Sequence, residues 1–147
     1  MIEHFKSDEY SWLSNFAPCK IILDGIEYVS VEHAYMSAKS DNQEWKIFCK
    51  NEPNAGKVKR ASSDITLIKD WNSIKISVMK ECLEQKYSQS PYKEKLIDTG
   101  TEYIQEGNWY NDEFWGVNLN TNPPKGSNML GKFIMEKRNA LMIEHLI

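Results

Sequence analysis

The chain has little cysteine: Cys19, Cys49 and Cys82 are far apart, odd in number and form no CxxC pair. That excludes a disulfide framework and a cysteine-built zinc site, and it suits reduced thiols in a cytoplasmic setting. Long apolar runs are missing too. The longest, Ala140 to Ile143, falls far short of the ~20 residues a membrane span needs, so no membrane role is expected. Met1 to Phe5 lacks the basic, apolar, small-residue order of a signal peptide. Glycine and proline number seven and five, too few for a collagen-like or low-complexity chain. The three histidines, His4, His33 and His145, lack metal-ligand spacing, so no metal is expected. No GxGxxG, GxxxxGK[ST] or Gly-x-Ser-x-Gly occurs, which removes the dinucleotide, P-loop and nucleophile-elbow readings and leaves no cofactor implied. Positive charge is not in excess either: a net charge of −3 argues against wholesale electrostatic binding of nucleic acid.

What the chain does have is rings. Five Trp, seven Tyr and five Phe bring the aromatic share to 12%, enough that some can serve something other than a core. At 147 residues the chain suits one domain, residues 1–147, with a core that needs no disulfide or metal.

The pattern predicts a helix-rich α+β domain with a small antiparallel sheet. Lys20–Leu23 and Ile26–Val29 flank Asp24-Gly25, a pair that favours the positive φ angles of a type I′ hairpin turn. Ser30 is placed to cap a helix whose buried stripe is Val31, Ala34, Tyr35 and Ala38. Trp71, Ile74, Val78 and Cys82 carry a second amphipathic helix ending near Tyr87. Ser90-Pro91 predicts a third, capped by the serine and stopped by Thr99-Gly100. A strand is expected over 101–106. A long loop rich in Asn, Pro and aromatics follows over 107–125, and then a closing helix capped by Ser127, with Leu130, Ile134 and Leu141 buried. A loop that long in a small domain is more often functional than idle.

Three places can carry chemistry. On the first helix, Glu32 and Lys39 stand two turns apart, ~10.5 Å along the axis; both can face one cavity, or each can simply offset its end of the helix dipole. Lys46, Lys50, Lys57, Lys59 and Arg60 stand against the single Glu52, which suits a phosphate as well as a solvated face. In the loop, Glu106 and Asn111-Asp112-Glu113-Phe114-Trp115-Gly116 combine carboxylates, stacking rings and a glycine that lets backbone approach closely. The alternative there is that Phe114 and Trp115 only pin the loop.

Taken in order, these segments resemble the NADAR, or YbiA-like, domain family. The matching residues are Leu13-Ser14-Asn15-Phe16, Val31-Glu32-His33-Ala34-Tyr35 with Lys39, Ala55-Gly56-Lys57 with Arg60, and Trp71 with Met79. They continue through Lys86-Tyr87, Leu96 with Thr99-Gly100, Glu106, and Asp112 with Trp115-Gly116. The last are Gly126-Ser127-Asn128-Met129-Leu130-Gly131-Lys132 with Met135 and Arg138. The chain departs from the family pattern at Gly56, Lys75 and Tyr87, where Ala, Arg and Phe are common.

The resemblance implies a compact α+β fold and N-glycosidase chemistry on ribose-linked bases. Two substrate types are associated with the family: phosphorylated ribosylamino-pyrimidines of early riboflavin synthesis, and ADP-ribose attached to guanine in nucleic acid. Glu32, Asp112 and Trp71 carry over as functional positions, with Lys39 a candidate for a Schiff base with the opened ribose. On this reading Glu32 is the acid/base and Asp112 stabilises charge or orients water. Phe16, Trp71, Trp115 and Gly116 would frame the base and sugar. Lys57 and Arg60 would hold phosphate, Asn15 and Asn128 would hydrogen-bond the ribose, and Glu106 would line the site. Two other readings stay open: a module that binds ADP-ribose or NAD without cleaving it, and a folded subunit of a larger assembly. The first leaves the paired carboxylates unexplained, because they repel an anion.

Overall fold

The computed structural model describes residues 1–146. The chain begins with β1 (Ile2–His4), β2 (Ile21–Leu23), β3 (Ile26–Tyr28), α1 (Val31–Ser37), α2 (Gln43–Asn51) and α3 (Ala55–Ala61). It continues with α4 (Trp71–Lys86), α5 (Tyr92–Asp98), β4 (Ile104–Asn108), β5 (Val117–Asn118) and α6 (Met129–Leu146). The fold is α+β and helix-rich. Two compact units can be described separately: Asn15–Gln89, and Met1–Ser14 together with the chain from Ser90 onward.

In the first of these units the β2–β3 hairpin forms as its sequence predicts. Asp24 and Gly25 take φ of 49° and 79°, and the strands pair antiparallel with Leu23 opposite Ile26. Ser30 then caps α1, its hydroxyl accepting from the His33 N–H at 3.1 Å. The expected stripe proves too narrow, because all seven residues of α1 are buried. The reason is packing on every side: α2, α3, α4 and both hairpin strands contact it. A helix enclosed that way must satisfy its polar groups internally. His33 does so through Nδ1 with the Ser30 hydroxyl at 2.6 Å and Nε2 donating to the Glu52 carbonyl at 2.7 Å.

The basic stretch folds as two helices, α2 and α3, each capped by an asparagine. The Asn42 and Asn54 side chains accept from the Trp45 and Lys57 N–H groups. α4 follows as expected, with Trp71, Met79, Cys82 and Leu83 buried and Ile74 and Val78 only partly so.

The other unit is built on a three-stranded sheet ordered β1-β4-β5. Both pairings are parallel, an addition to the antiparallel hairpin that the sequence had indicated. α6 covers β4, and α5 packs on α6, burying Leu96, Ile104, Leu130, Ile134 and Leu141.

Three boundaries differ from expectation. The strand expected over 101–106 lies at Ile104–Asn108. Ser90 does not cap α5: Pro91 holds that position, and the Ser90 hydroxyl donates to Glu94 at 2.6 Å. α6 starts at Met129 without help from the Ser127 side chain. The N–H groups of Ser127, Asn128, Met129 and Leu130 donate instead to the carbonyls of Glu113, Gly116, Phe114 and Trp115, at 2.8 to 3.1 Å. The loop backbone thus satisfies the orphan donors that a capping side chain usually takes.

Candidate functional site

The candidate residues fall into two groups, one in each unit. The first is built on α1. Glu32 lies in its first turn, only 6% exposed, and its N–H donates to the Asn15 carbonyl at 3.0 Å. Asn15 also donates Nδ2 to the Met79 sulfur at 3.8 Å, so the helix, α4 and the Asn15 segment are tied together. Lys39 follows the C-cap residue Ala38, its Nζ 5.9 Å from the centre of the Tyr35 ring. That ring lies tilted against Trp71 at 5.1 Å. The Lys39 carbonyl accepts from the Ile68 N–H at 2.8 Å, and the Ile68 carbonyl accepts from Trp71, which seats the start of α4 beside the end of α1.

The electrostatics of this group centre on Lys39. Burial pulls its ammonium below the ordinary 10.5; the Glu32 carboxylate opposes that shift, and Lys59 and Lys75 add to it. Glu32 and Lys39 therefore feel one another, although they are two turns apart. The helix-dipole explanation of Lys39 is taken by another residue. Lys46, buried, donates Nζ to the Ser37 carbonyl at 3.1 Å, and Trp45 donates Nε1 to the Met36 carbonyl at 2.9 Å. Those two side chains satisfy the C-terminal carbonyls of α1, a role that no periodicity in the sequence signals.

Phe16, Lys57 and Arg60 lie at the edge of the same unit. Phe16 is 44% exposed, and Lys57 and Arg60 are exposed. Gly56 sits between the Phe16 ring and the Arg60 guanidinium: a Cβ there would come within 3.3 Å of Arg60 Nη1 and 3.0 Å of Asn54 Oδ1. The glycine that departs from the family pattern thus leaves the guanidinium room. Beside it is a groove of about 230 Å³ lined by Phe16, Ser30, His33, Pro53, Asn54 and Gly56, among others. Trp71, in contrast, is nearly closed off at 6% exposure.

The second group belongs to the β4–β5 connection. Asp112 Oδ1 accepts from the N–H groups of Phe114 and Trp115 at 3.0 and 2.9 Å, folding the chain into a tight turn after Asn111, whose φ is 65°. Asp112 Oδ2 makes no hydrogen bond among the described residues. Phe114 and Trp115 meet edge to face at 4.9 Å, and Trp115 reaches Phe133 at 6.2 Å. Glu106 accepts from the Tyr110 hydroxyl at 2.6 Å and from Asn108 Nδ2 at 3.1 Å. Gly116 lies so close that a Cβ would strike the Glu106 carboxylate and its carbonyl.

Asn128 has a structural role in the fold. Expected to hydrogen-bond a ribose, it is 2% exposed and its amide is fully committed inside the fold. Oδ1 accepts from the Glu106 N–H at 2.9 Å, and Nδ2 donates to the Ile104 carbonyl at 2.9 Å and the Tyr103 hydroxyl at 3.2 Å. Its φ of 52° and these bonds make it a brace between β4 and the start of α6. Asn108 and Tyr110 were missed by sequence reasoning. Both sit in a stretch crowded with Asn and aromatics, where nothing separates a brace from a bystander.

No cluster of three His, Cys, Asp or Glu side chains among the described residues could hold a metal ion. No helix among them is long and apolar enough to cross a membrane.

The N-glycosidase YbiA of Escherichia coli (strain K12) is 30% identical over 141 residues, covering 94% of this chain and 86% of that protein. A riboflavin biosynthesis protein of Vibrio vulnificus (strain YJ016) is 30% identical over 148 residues, of which the chain spans 39% of the full length. The NMR structure of the E. coli protein YbiA superposes with a TM-score of 0.80 at 28% identity, covering 99% of this chain and 89% of that one. The NADAR domain model matches residues 3–142. The chain therefore belongs to the NADAR family, among relatives that are N-glycosidases.

Proposed function

We propose that the chain hydrolyses the N-glycosidic bond of a phosphorylated ribosylamino-pyrimidine, an intermediate of riboflavin synthesis, to free base and ribose 5-phosphate. The observation that carries this reading is the contrast between its two carboxylates. Glu32 is buried and acts at a distance on a lysine of weakened basicity, whereas Asp112 spends one oxygen on its own turn and keeps the other. Carboxylates in unlike environments can divide acid/base work from charge stabilisation. The riboflavin names of the Vibrio relative and of a chloroplastic maize relative, of which the chain spans 39% and 25%, support this choice of substrate class.

In the reaction the C1–N bond breaks with its electron pair leaving on the base, and C1 gains oxocarbenium character. Water adds to C1; Glu32 takes its proton and returns one to the departing nitrogen, while Asp112 stabilises the cationic sugar. Lys57 and Arg60 hold the 5-phosphate. Asn15, Phe16 and Trp71 in one unit, and Trp115 and Gly116 in the other, are the candidates for contact with sugar or base.

A covalent route has its own support in Lys39, because a depressed pKa leaves more neutral amine to attack C1. There the base departs with a proton, the ribose opens to an imine on Nζ, and water hydrolyses it. Borohydride added during turnover should leave a ribosyl adduct on Lys39; an unmodified Lys39 discards this route.

A second substrate type, ADP-ribose on guanine in nucleic acid, is favoured by one observation: the exposed Arg60 and Phe16 around Gly56 suit a pyrophosphate next to a stacked ring. A module that binds ADP-ribose or NAD without cleavage would use the same surface. The experiment offers purified protein both substrates side by side and follows released base and released ADP-ribose. Glu32→Gln and Asp112→Asn should each lower turnover by roughly 10²- to 10⁴-fold with unchanged melting temperatures. Full turnover in both variants, or tight binding without any product, would sink the assignment.

A further inference from the structure

The groove beside Gly56 has a lining of two kinds. Phe16, Pro18, Val29 and Pro53 supply apolar surface, and Phe16 and Val29 are 44% and 48% exposed. The polar lining residues Ser30 and His33 have their polar hydrogens committed. The Ser30 hydroxyl and His33 Nδ1 bond each other at 2.6 Å, and His33 Nε2 donates to the Glu52 carbonyl at 2.7 Å. Asn54 spends Oδ1 on the Lys57 N–H at 3.1 Å. Its Nδ2 is then the one lining side-chain donor with no hydrogen bond among the described residues. The volume of about 230 Å³ is smaller than that of a site for a whole drug-sized ligand, and it suits a single ring system.

Positive charge stands beside this groove. A Cβ on Gly56 would meet Asn54 Oδ1 at 3.0 Å, Arg60 Nη1 at 3.3 Å and the Phe16 ring at 3.9 Å, so the guanidinium comes up to the lining next to that ring. Arg60 and Lys57 are exposed and join no ion pair among the described residues. Glu52, the carboxylate of this stretch, turns Oε2 to the Asn54 N–H at 2.9 Å. An apolar slot beside a guanidinium fork matches a flat ring that carries a phosphate. With a single free donor to read its edges, such a slot takes the ring by shape and apolar contact, which every nucleobase offers. We propose that the groove is a binding site for nucleoside monophosphates, with the base in the groove and the phosphate on Arg60 and Lys57. The proposal rests on the phosphate role given to those two cations in the proposed reaction, and not on bond cleavage.

Titration calorimetry with AMP, UMP, adenosine and ribose 5-phosphate tests it. AMP should bind at least about tenfold tighter than adenosine, the usual strength of a charge-assisted phosphate contact, and tighter than ribose 5-phosphate, which has no ring. AMP and UMP should lie within about tenfold of each other, because the ring is taken by shape. Two variants at exposed positions separate ring from phosphate, and both should melt at the wild-type temperature. Val29→Ser trims the apolar lining; it should weaken AMP and adenosine by the same factor, about three- to tenfold, and leave ribose 5-phosphate unchanged. Arg60→Ala should weaken AMP and ribose 5-phosphate by about tenfold or more and leave adenosine unchanged. No binding of AMP, equal affinities for AMP and adenosine, or an AMP affinity that survives either variant overturns the proposal. So does a wider gap between AMP and UMP. AMP bound as expected by a protein that leaves the ribosylamino-pyrimidine intact would keep the groove and discard the reaction; turnover without AMP binding would do the reverse.

Discussion

The two candidate regions are held in place by opposite means. Glu32 and Lys39 stand on and beside a helix enclosed by other elements, so their geometry follows from hydrophobic packing around α1. Glu106 and Asp112 belong to a connection with little regular structure, where asparagine side chains replace the missing ladder. Asn108, Asn118 and Asn128 are all buried and bond mostly to backbone or to one another's neighbours. A packed helix tolerates small losses at many points. A loop held by a few buried amides concentrates its stability in those amides and in the glycines that let backbones touch. The difference predicts that single substitutions should be graded around α1 and severe in the loop.

Gly116→Ala should give the largest loss. The added methyl would strike Glu106 Oε2 and the Glu106 carbonyl and lie 2.6 Å from Asn108 Nδ2, and backbone cannot swing aside as a flexible side chain can. Overpacking of this kind costs about 1–3 kcal/mol, and here the yielding groups are the Glu106 carboxylate and the buried Asn108 amide that holds it. Chemical denaturation should show that loss, and turnover should fall further than stability alone explains. An unchanged midpoint with full activity would mean the loop is as tolerant as α1. Asn128→Ala follows: it strips the buried Ile104 carbonyl and the half-buried Glu106 N–H of their partners, a combined loss near the lower end of about 1–3 kcal/mol, because the second group is only partly shielded from water.

How much of each region could be read from sequence follows the same division. The hairpin was legible because Asp24-Gly25 has few conformational options, and α1 and α4 because apolar spacing repeats along them. Glu32, Lys39 and Asp112 were reached through residue type and family resemblance. The burial of α1 on all sides was not legible, because a polar residue such as His33 or Ser37 marks an exposed face until its partners are known. Ser127 was misread for a related reason: four carbonyls from a distant loop took the place of a capping side chain. Asn128 misled most. As a polar residue in a recognisable motif it reads as a ligand contact, and only the structure shows its amide bonded to Glu106 and Ile104.

Ser30→Ala probes the graded side. It removes the cap on the His33 N–H and the partner of His33 Nδ1, for a loss of about 1 kcal/mol by the usual cost of an N-cap. A Tm shift well beyond that of Asn128→Ala would erase the contrast between packed helix and braced loop.

The smallest expected effect is a shift in titration alone. Lys39 is held below 10.5 first by burial, against the pull of Glu32 and with the push of Lys59 and Lys75. Trapping of ribose 5-phosphate on Lys39 by borohydride needs the neutral amine, so its rate should climb with pH through the folded pKa of Lys39. Removing a neighbouring cation in Lys75→Met lets Lys39 hold its proton to higher pH, moving that climb upward. Removing the attracting anion in Glu32→Gln moves it downward. The two variants therefore bracket the wild type from opposite sides, whereas a lysine governed only by burial would leave all three curves superimposed. Asp112→Asn, whose carboxylate has its own turn to organise, serves as the comparison variant that lies outside the causes of the Lys39 shift.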